Sequence, residues 1–163
     1  MNVAEFRFHP TAFVAGRAFE PVVGPCEVCG RSTGWRYTGP LYARRKAQPC
    51  PDCIAEGRVA PYVGDANFTF LDADLREVHP QWHEELLRRT PGFAVFNPFP
   101  WPAKDGVPLA FVGYGDDADI WQDDRVRAAM TEAFEDELDG PSPHALVFRD
   151  LEGVDFRVVV DLD

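Results

Sequence analysis

The chain has 163 residues, 45% of them apolar, which is enough for a real hydrophobic core and too much for a disordered chain. Its apolar runs are only a few residues long, which excludes a membrane-spanning segment, and Met1-Asn2-Val3-Ala4-Glu5-Phe6 has no charged stretch followed by an apolar one, as a secretory signal would. The net charge is −11, and it is unevenly spread. Residues 1–60 carry eight Lys/Arg against five Asp/Glu, whereas residues 61–163 carry eight against twenty-two. An acidic surface of this kind repels nucleic acid and anionic membrane and attracts basic partners, although it also serves simply to keep a protein soluble.

Glu5-Phe6-Arg7-Phe8-His9 alternates polar and apolar residues and predicts a short strand stopped by Pro10. Residues 10–25, with three prolines, predict an extended lead-in. All four cysteines then follow as two pairs, Cys26-Glu27-Val28-Cys29 and Cys50-Pro51-Asp52-Cys53, separated by twenty residues. Two cysteines three positions apart on a tight turn aim both sulfurs at one point, and two such turns face to face make the tetrahedral thiolate cage that zinc prefers. Gly30 and Gly57 suit the sharp turns around such an ion. The expectation is one structural zinc held by Cys26, Cys29, Cys50 and Cys53, because four cysteines close the coordination sphere and leave no open position for catalysis. Disulfides would need an oxidising compartment, and a thioredoxin-like pair would need a βαβ pattern beside it. A reducing cytoplasm is the expected compartment.

Trp35-Arg36-Tyr37-Thr38 predicts a strand broken by Gly39-Pro40, with Leu41-Tyr42-Ala43 as a second ribbon strand. Arg44-Arg45-Lys46 is a basic cluster that fits either a phosphate contact or a solvated loop. Ile54-Ala55-Glu56 predicts one helical turn ended by Gly57. Residues 61–65 read as a loop and 67–71 as a short strand. Asp72, Asp74 and Glu77 lack the rest of a calcium-loop pattern and are assigned to a surface turn.

His79–Arg89 predicts a helix, with Pro80 at its first position and Val78, Trp82, Leu86 and Leu87 on one face. His79 and His83 stand one turn apart, but the expected reading is an exposed face without metal. Phe93-Ala94-Val95-Phe96 predicts a buried strand. Asn97-Pro98-Phe99-Pro100-Trp101-Pro102 predicts an extended stretch whose aromatics pack on the core. Residues 107–112 predict another strand.

The acidic block follows, with eleven acids and two bases within residues 105–139. It leads into a helix predicted over 123–138, with Val126, Met130, Phe134 and Leu138 as its buried stripe and Gly140 as its stop. Part of the acid cluster suits the positive end of that helix dipole. Asp116, Asp117, Asp119, Asp123, Asp124, Glu135 and Asp136 are the candidate residues for meeting a basic protein partner. Residues 145–149 and 154–160 predict a terminal hairpin.

The expected fold is therefore a single α+β domain over residues 1–163. It has an antiparallel sheet, two main helices and an N-terminal four-cysteine zinc knuckle at about residues 20–60, with the acidic α+β part at 61–163.

Five segments together resemble the CbrC family, also called UPF0167. They are Phe6-Arg7-Phe8-His9-Pro10, Cys26-Glu27-Val28-Cys29-Gly30, Tyr37-Thr38-Gly39-Pro40-Leu41-Tyr42-Ala43, Cys50-Pro51-Asp52-Cys53-Ile54-Ala55-Glu56-Gly57 and Arg88-Arg89-Thr90-Pro91-Gly92-Phe93. The C-terminal Leu146-Val147-Phe148-Arg149 fits more loosely. The resemblance implies a bacterial zinc-knuckle protein connected to colicin E2 tolerance, with no reaction attached to it. It also leads one to expect further cysteines in the second half, and residues 98–104 and 150–153 contain none. The expected function is non-enzymatic, a protein-binding factor of toxin tolerance or immunity that presents acids to a basic toxin or nuclease. The alternative is a nucleic-acid-binding zinc ribbon using Arg31, Arg36, Arg44, Arg45 and Lys46 with Trp35 and Tyr37, a reading the overall charge opposes.

Overall fold

The computed structural model describes residues 3–65, 69–70, 73–135, 137 and 139–162. The chain forms two compact units, Met1–Leu71 with Gln81–Ala94, and Asp72–Pro80 with Val95–Asp163.

The first unit is built mostly from turns. Strand β1 (Phe19–Pro21) pairs antiparallel with β2 (Trp35–Tyr37), Phe19 opposite Tyr37. Helix α1 (Pro51–Ala55) starts on Cys50, with Pro51 in the first-turn position where a missing amide costs nothing. Helix α2 (Val59–Val63) follows at once, and α3 (His83–Arg88) is entered through a tight 3-10 turn over Pro80–Trp82. Phe6, Phe19, Tyr37, Ile54, Val59 and Val63 are buried together with Cys26, Cys50 and Cys53. Phe6, Phe13 and Phe19 stack with centroids 4.7–6.2 Å apart, and Trp35 meets Phe13 edge-on at 5.1 Å.

Several expectations for this unit change. Residues 5–9 are not a strand: Arg7 and Phe8 form a turn, with the His9 amide donating to the Phe6 carbonyl, and the alternation fails at His9, which is buried beside Phe8. Leu41-Tyr42-Ala43 is not a strand, since β2 takes its partner from the proline-rich segment before the cysteines. Residues 61–63 of the expected loop 61–65 belong to helix α2, which tolerates Pro61 because it falls in the first turn, whose amides have no partner inside the helix. Residues 67, 68 and 71 of the expected strand 67–71, and Asp72 of the acidic turn after it, lie outside the described residues, while Thr69 and Phe70 are buried and outside any strand. Residues 93–96 are not a strand either. Phe93 is buried against Phe70, 5.0 Å away, whereas Phe96 is 68% exposed.

Among its described residues the second unit has three small sheets. β3 (Ala73–Asp74) runs parallel to β4 (Phe99–Pro100), and β5 (Ala103–Lys104) forms a hairpin with β6 (Val107–Pro108). β7 (Ala110–Tyr114), β8 (Ala145–Arg149) and β9 (Phe156–Val160) make a three-stranded antiparallel sheet in that order, with an irregularity between Phe111 and Gly113. Helix α4 (Ala118–Trp121) and helix α5 (Asp124–Ala133) follow β7.

On one face of the sheet, Val126 and Met130 of α5 are buried with Val112, Ala145 and Val147. The other face meets an aromatic layer, in which Phe148 lies 5.8 Å from Trp101 and 5.7 Å from Phe111. The Trp101 indole donates to the Leu109 carbonyl at 2.9 Å, so its one polar atom is satisfied inside that layer. The expected packing of the proline–aromatic stretch and the terminal hairpin are both present. The expected strand 107–112 is instead two strands broken at Leu109. The helix expected over 123–138 stops at Ala133, with Glu135 at a φ of 52°, before Gly140 is reached; Leu138 lies outside the described residues.

The architecture is thus mixed α+β, with small, mainly antiparallel sheets, five α-helices among the described residues, and the cysteines gathered near the N-terminus.

Candidate metal centre

The first cysteine pair sits on a turn tied by backbone hydrogen bonds. The Cys26 amide donates to the Arg31 carbonyl and the Gly30 amide to the Cys26 carbonyl, at 2.9 and 2.8 Å. Gly30 closes this turn at a φ of 71°, a left-handed conformation that costs glycine least. The second pair straddles the start of α1, where Cys50 is the cap residue and Cys53 lies in the first turn. Their ligand atoms meet. Cys26 Sγ lies 3.8 Å from Cys53 Sγ, Cys29 Sγ lies 3.9 Å from Cys50 Sγ, and all four sulfurs fall within 4.8 Å of one another. A tetrahedron with metal–sulfur bonds of about 2.3 Å has sulfurs about 3.8 Å apart. A disulfide needs about 2.0 Å, and all four cysteines are free. The residues therefore fit a tetrahedral thiolate-bound ion.

The surroundings fit it too. The Val28 and Cys50 amides both donate to Cys26 Sγ, at 3.3 and 3.2 Å. Such amides offset the charge of a metal-bound thiolate. Burial pushes the Cys50 and Cys53 thiols up, and for Cys53 the neighbouring sulfurs add to it. Burial also works against the Cys29 thiolate, but the Arg31 amide and guanidinium outweigh it and hold this thiol down at about 6. One corner of the cage is thus set up to carry negative charge while two resist it. A divalent cation resolves the conflict by replacing the protons. Cys26, Cys50 and Cys53 are buried, and Cys29 is the corner nearest solvent.

Arg31 is the residue whose role the sequence did not disclose. It stood among candidate nucleic-acid contacts, but its side chain serves Cys29 and lies 3.8 Å from Asp52. Of the other basic candidates, Arg44 is exposed and three are engaged locally. Arg36 donates to Gln48, Arg45 lies 3.8 Å over the Tyr62 ring, and Lys46 donates to the Leu41 carbonyl. Tyr37 is in the core, so it offers no free face for a base.

The acidic candidates divide by role. Asp117 accepts the Tyr114 amide at 2.6 Å. Asp123 caps α5 by accepting the Arg125 amide and also pairs with the Arg125 guanidinium, whose bonds hold its carboxyl down at about 2. Asp124 pairs with Arg127. Asp116, Asp119 and Glu135 are exposed, and Asp136 lies outside the described residues. His79 and His83 are exposed and half-buried respectively.

A mixed α+β chain that gathers four thiols at tetrahedral spacing is a small protein with a tetracysteine cluster able to hold a metal ion. This chain belongs to the family described as Uncharacterised protein family (UPF0167), whose model matches residues 3–146 and so includes all four cysteines. It is 36% identical over 115 residues to UPF0167 protein Mb2317 of Mycobacterium bovis and, to the same extent, to UPF0167 protein MT2352 of Mycobacterium tuberculosis, covering 69% of this chain and 60% of each relative. It is 34% identical over 103 residues to UPF0167 protein PA1536 of Pseudomonas aeruginosa, covering 59% of this chain and 55% of the relative. The matched stretch thus spans little more than half the length of these relatives. No solved structure matches the chain. Among the described residues, no helix is long and apolar enough to cross a membrane.

Proposed function

We propose that this is a non-enzymatic protein that binds one structural zinc ion through Cys26, Cys29, Cys50 and Cys53, and whose acidic second unit meets a basic protein partner. The observation that carries the metal reading is the spacing of the four sulfurs, 3.8 Å for Cys26–Cys53, 3.9 Å for Cys29–Cys50 and all within 4.8 Å. Thiolates at that spacing suit a closed tetrahedral site, and four of them leave no position open for substrate. The acidic surface supports the partner reading. Residues 61–163 carry twenty-two acids against eight bases, and Asp116, Asp119 and Glu135 stand exposed. Such a surface speeds encounter with a basic protein and discriminates among partners. The resemblance to the CbrC family suggests the setting, tolerance of a basic toxin such as a nuclease colicin.

The test uses the full chain purified without added metal. Zinc near one per chain, together with capture of a basic bacterial protein that is lost in the triple variant D116N/D119N/E135Q, is the expected result. Zinc with bound nucleic acid, lost instead on replacing Arg44, Arg45 and Lys46, would overturn the partner reading and leave the metal reading standing. Absence of zinc would overturn the metal reading.

A further inference from the structure

The hairpin β5–β6 and the turn joining β8 to β9 line an open cavity of about 300 Å³ in the second unit. Its wall is apolar, formed by Val107, Pro108, Leu109 and Leu151. Pro108 and Leu109 are buried, and the Trp101 indole holds Leu109 from below by donating to its carbonyl. Leu151 stands 46% exposed at the rim.

The two walls of the cavity are tied together by charge. Lys104 on the hairpin donates to Asp150 at 3.2 Å and to Asp155 at 2.6 Å, both on the opposite turn. Asp150, only 5% exposed, also accepts the Val154 and Asp155 amides at 2.8 and 3.2 Å, which sets the shape of that turn. The two walls are thus joined by a base with two carboxylates. Because Lys104 is already shared by two acids, the net charge at the mouth is negative. One base lines the cavity against three acids, and Asp105 and Glu152 are exposed at its edge. An apolar centre inside a charged rim is the arrangement of an interaction anchor point.

We infer that this cavity receives an apolar side chain from a basic segment of a protein partner, with flanking lysines or arginines meeting Asp105 and Glu152. The occupant is set by charge complementarity. A purely apolar ligand would leave the rim unused, and an acidic segment would be repelled by it. The inference rests on the basic-partner reading and adds to it a specific anchor, separate from the exposed acids around α4 and α5.

The experiment titrates ¹⁵N-labelled, zinc-loaded full-chain protein with the blocked peptide Lys-Lys-Leu-Lys-Lys. Two control peptides replace the leucine by serine, or the lysines by glutamate. The expected result is saturable shifts at the amides of Val107, Leu109, Leu151 and Glu152. The serine control should bind at least fivefold more weakly and the glutamate control not at all. Leu151→Ser and Glu152→Lys, both exposed positions, should each weaken binding of the parent peptide at least fivefold with the rest of the spectrum intact. If leucine and serine peptides shift only the α4–α5 acids, and equally, the anchor is refuted and the basic-partner reading stands. If no cationic peptide binds, both fall. If Glu152→Lys leaves affinity unchanged, the role assigned to the rim is wrong.

Discussion

Replacing Tyr37 by phenylalanine tests how the first unit is locked. Tyr37 is 2% exposed, and its hydroxyl makes two bonds, donating to the Pro40 carbonyl at 2.6 Å and accepting from the Gly92 amide at 3.1 Å. One hydroxyl thus ties together two segments more than fifty residues apart. Phenylalanine keeps the ring and its 5.7 Å edge contact with Phe19, so the change removes the oxygen and little else. The Gly92 amide is buried and would lose its partner there, at a cost of about 1–3 kcal/mol. The Pro40 carbonyl is half-buried and can recover water, so its loss adds about 1 kcal/mol or less. The expected loss is about 1–4 kcal/mol, a sizeable share of the ~5–15 kcal/mol typical of a folded domain. Urea unfolding of the zinc-loaded protein measures it, and hydrogen exchange at the Gly92 amide localises it. A loss below about 0.5 kcal/mol, with Gly92 still protected, would refute the reasoning.

Three further outcomes follow from the same contacts. His9 is buried, and that burial, with a smaller contribution from Arg17, outweighs its bond to the Pro91 carbonyl and lowers its pKa from 6.5 to about 4. Its folded state therefore favours the neutral ring, so its contribution is complete above the unfolded value of 6.5 and is lost as pH falls from there toward 4, about 3 kcal/mol in all; an imidazole NMR titration with its midpoint near 6.5 would contradict this. Gly106→Ala should cost about 1–2 kcal/mol, because Gly106 has a φ of 78°. The His79 ring, which a new Cβ would approach to 2.2 Å, is exposed and can swing away, so the same loss should persist in a His79→Ala background, and its disappearance there would assign it to the clash instead. Cys53→Ser should abolish stoichiometric zinc and unfold the first unit, since a structural zinc contributes about 10–16 kcal/mol; hydrogen exchange should show Cys50–Gly57 unprotected while β7, β8 and β9 stay protected, and a native-like first unit without metal would contradict it.

What could be read from the sequence was what chemistry makes local. Cys26, Cys29, Cys50 and Cys53 announce their site because each pair converges within one turn. Val126 and Met130 mark the buried face of α5 by their spacing, and the β8–β9 hairpin carries its own turn. What escaped depended on distant partners. β1 pairs with β2 across a register, Phe19 to Tyr37, that nothing in the proline-rich segment indicates. Glu5 to His9 alternate like a strand, yet Phe6, Phe8 and His9 are all buried and the chain turns, with His9 reaching Pro91 and Phe93, more than eighty residues away. Helix α2 has Arg58 as its cap, without a side-chain capping bond, so no start signal marks it. The hairpin β5–β6 did have one, since Asp105-Gly106 takes the φ of 52° and 78° that a tight two-residue turn requires. The acids before α5 were read together as one surface, but Asp117 and Asp123 serve backbone amides and only part of the set faces outward.

The central claim is a four-thiolate zinc centre, and X-ray absorption at the zinc edge on the purified full chain tests it most directly. The account predicts about one zinc per chain with four sulfur neighbours at about 2.3 Å. A first shell containing nitrogen or oxygen, or a folded protein with no metal and four titratable thiols, would contradict it.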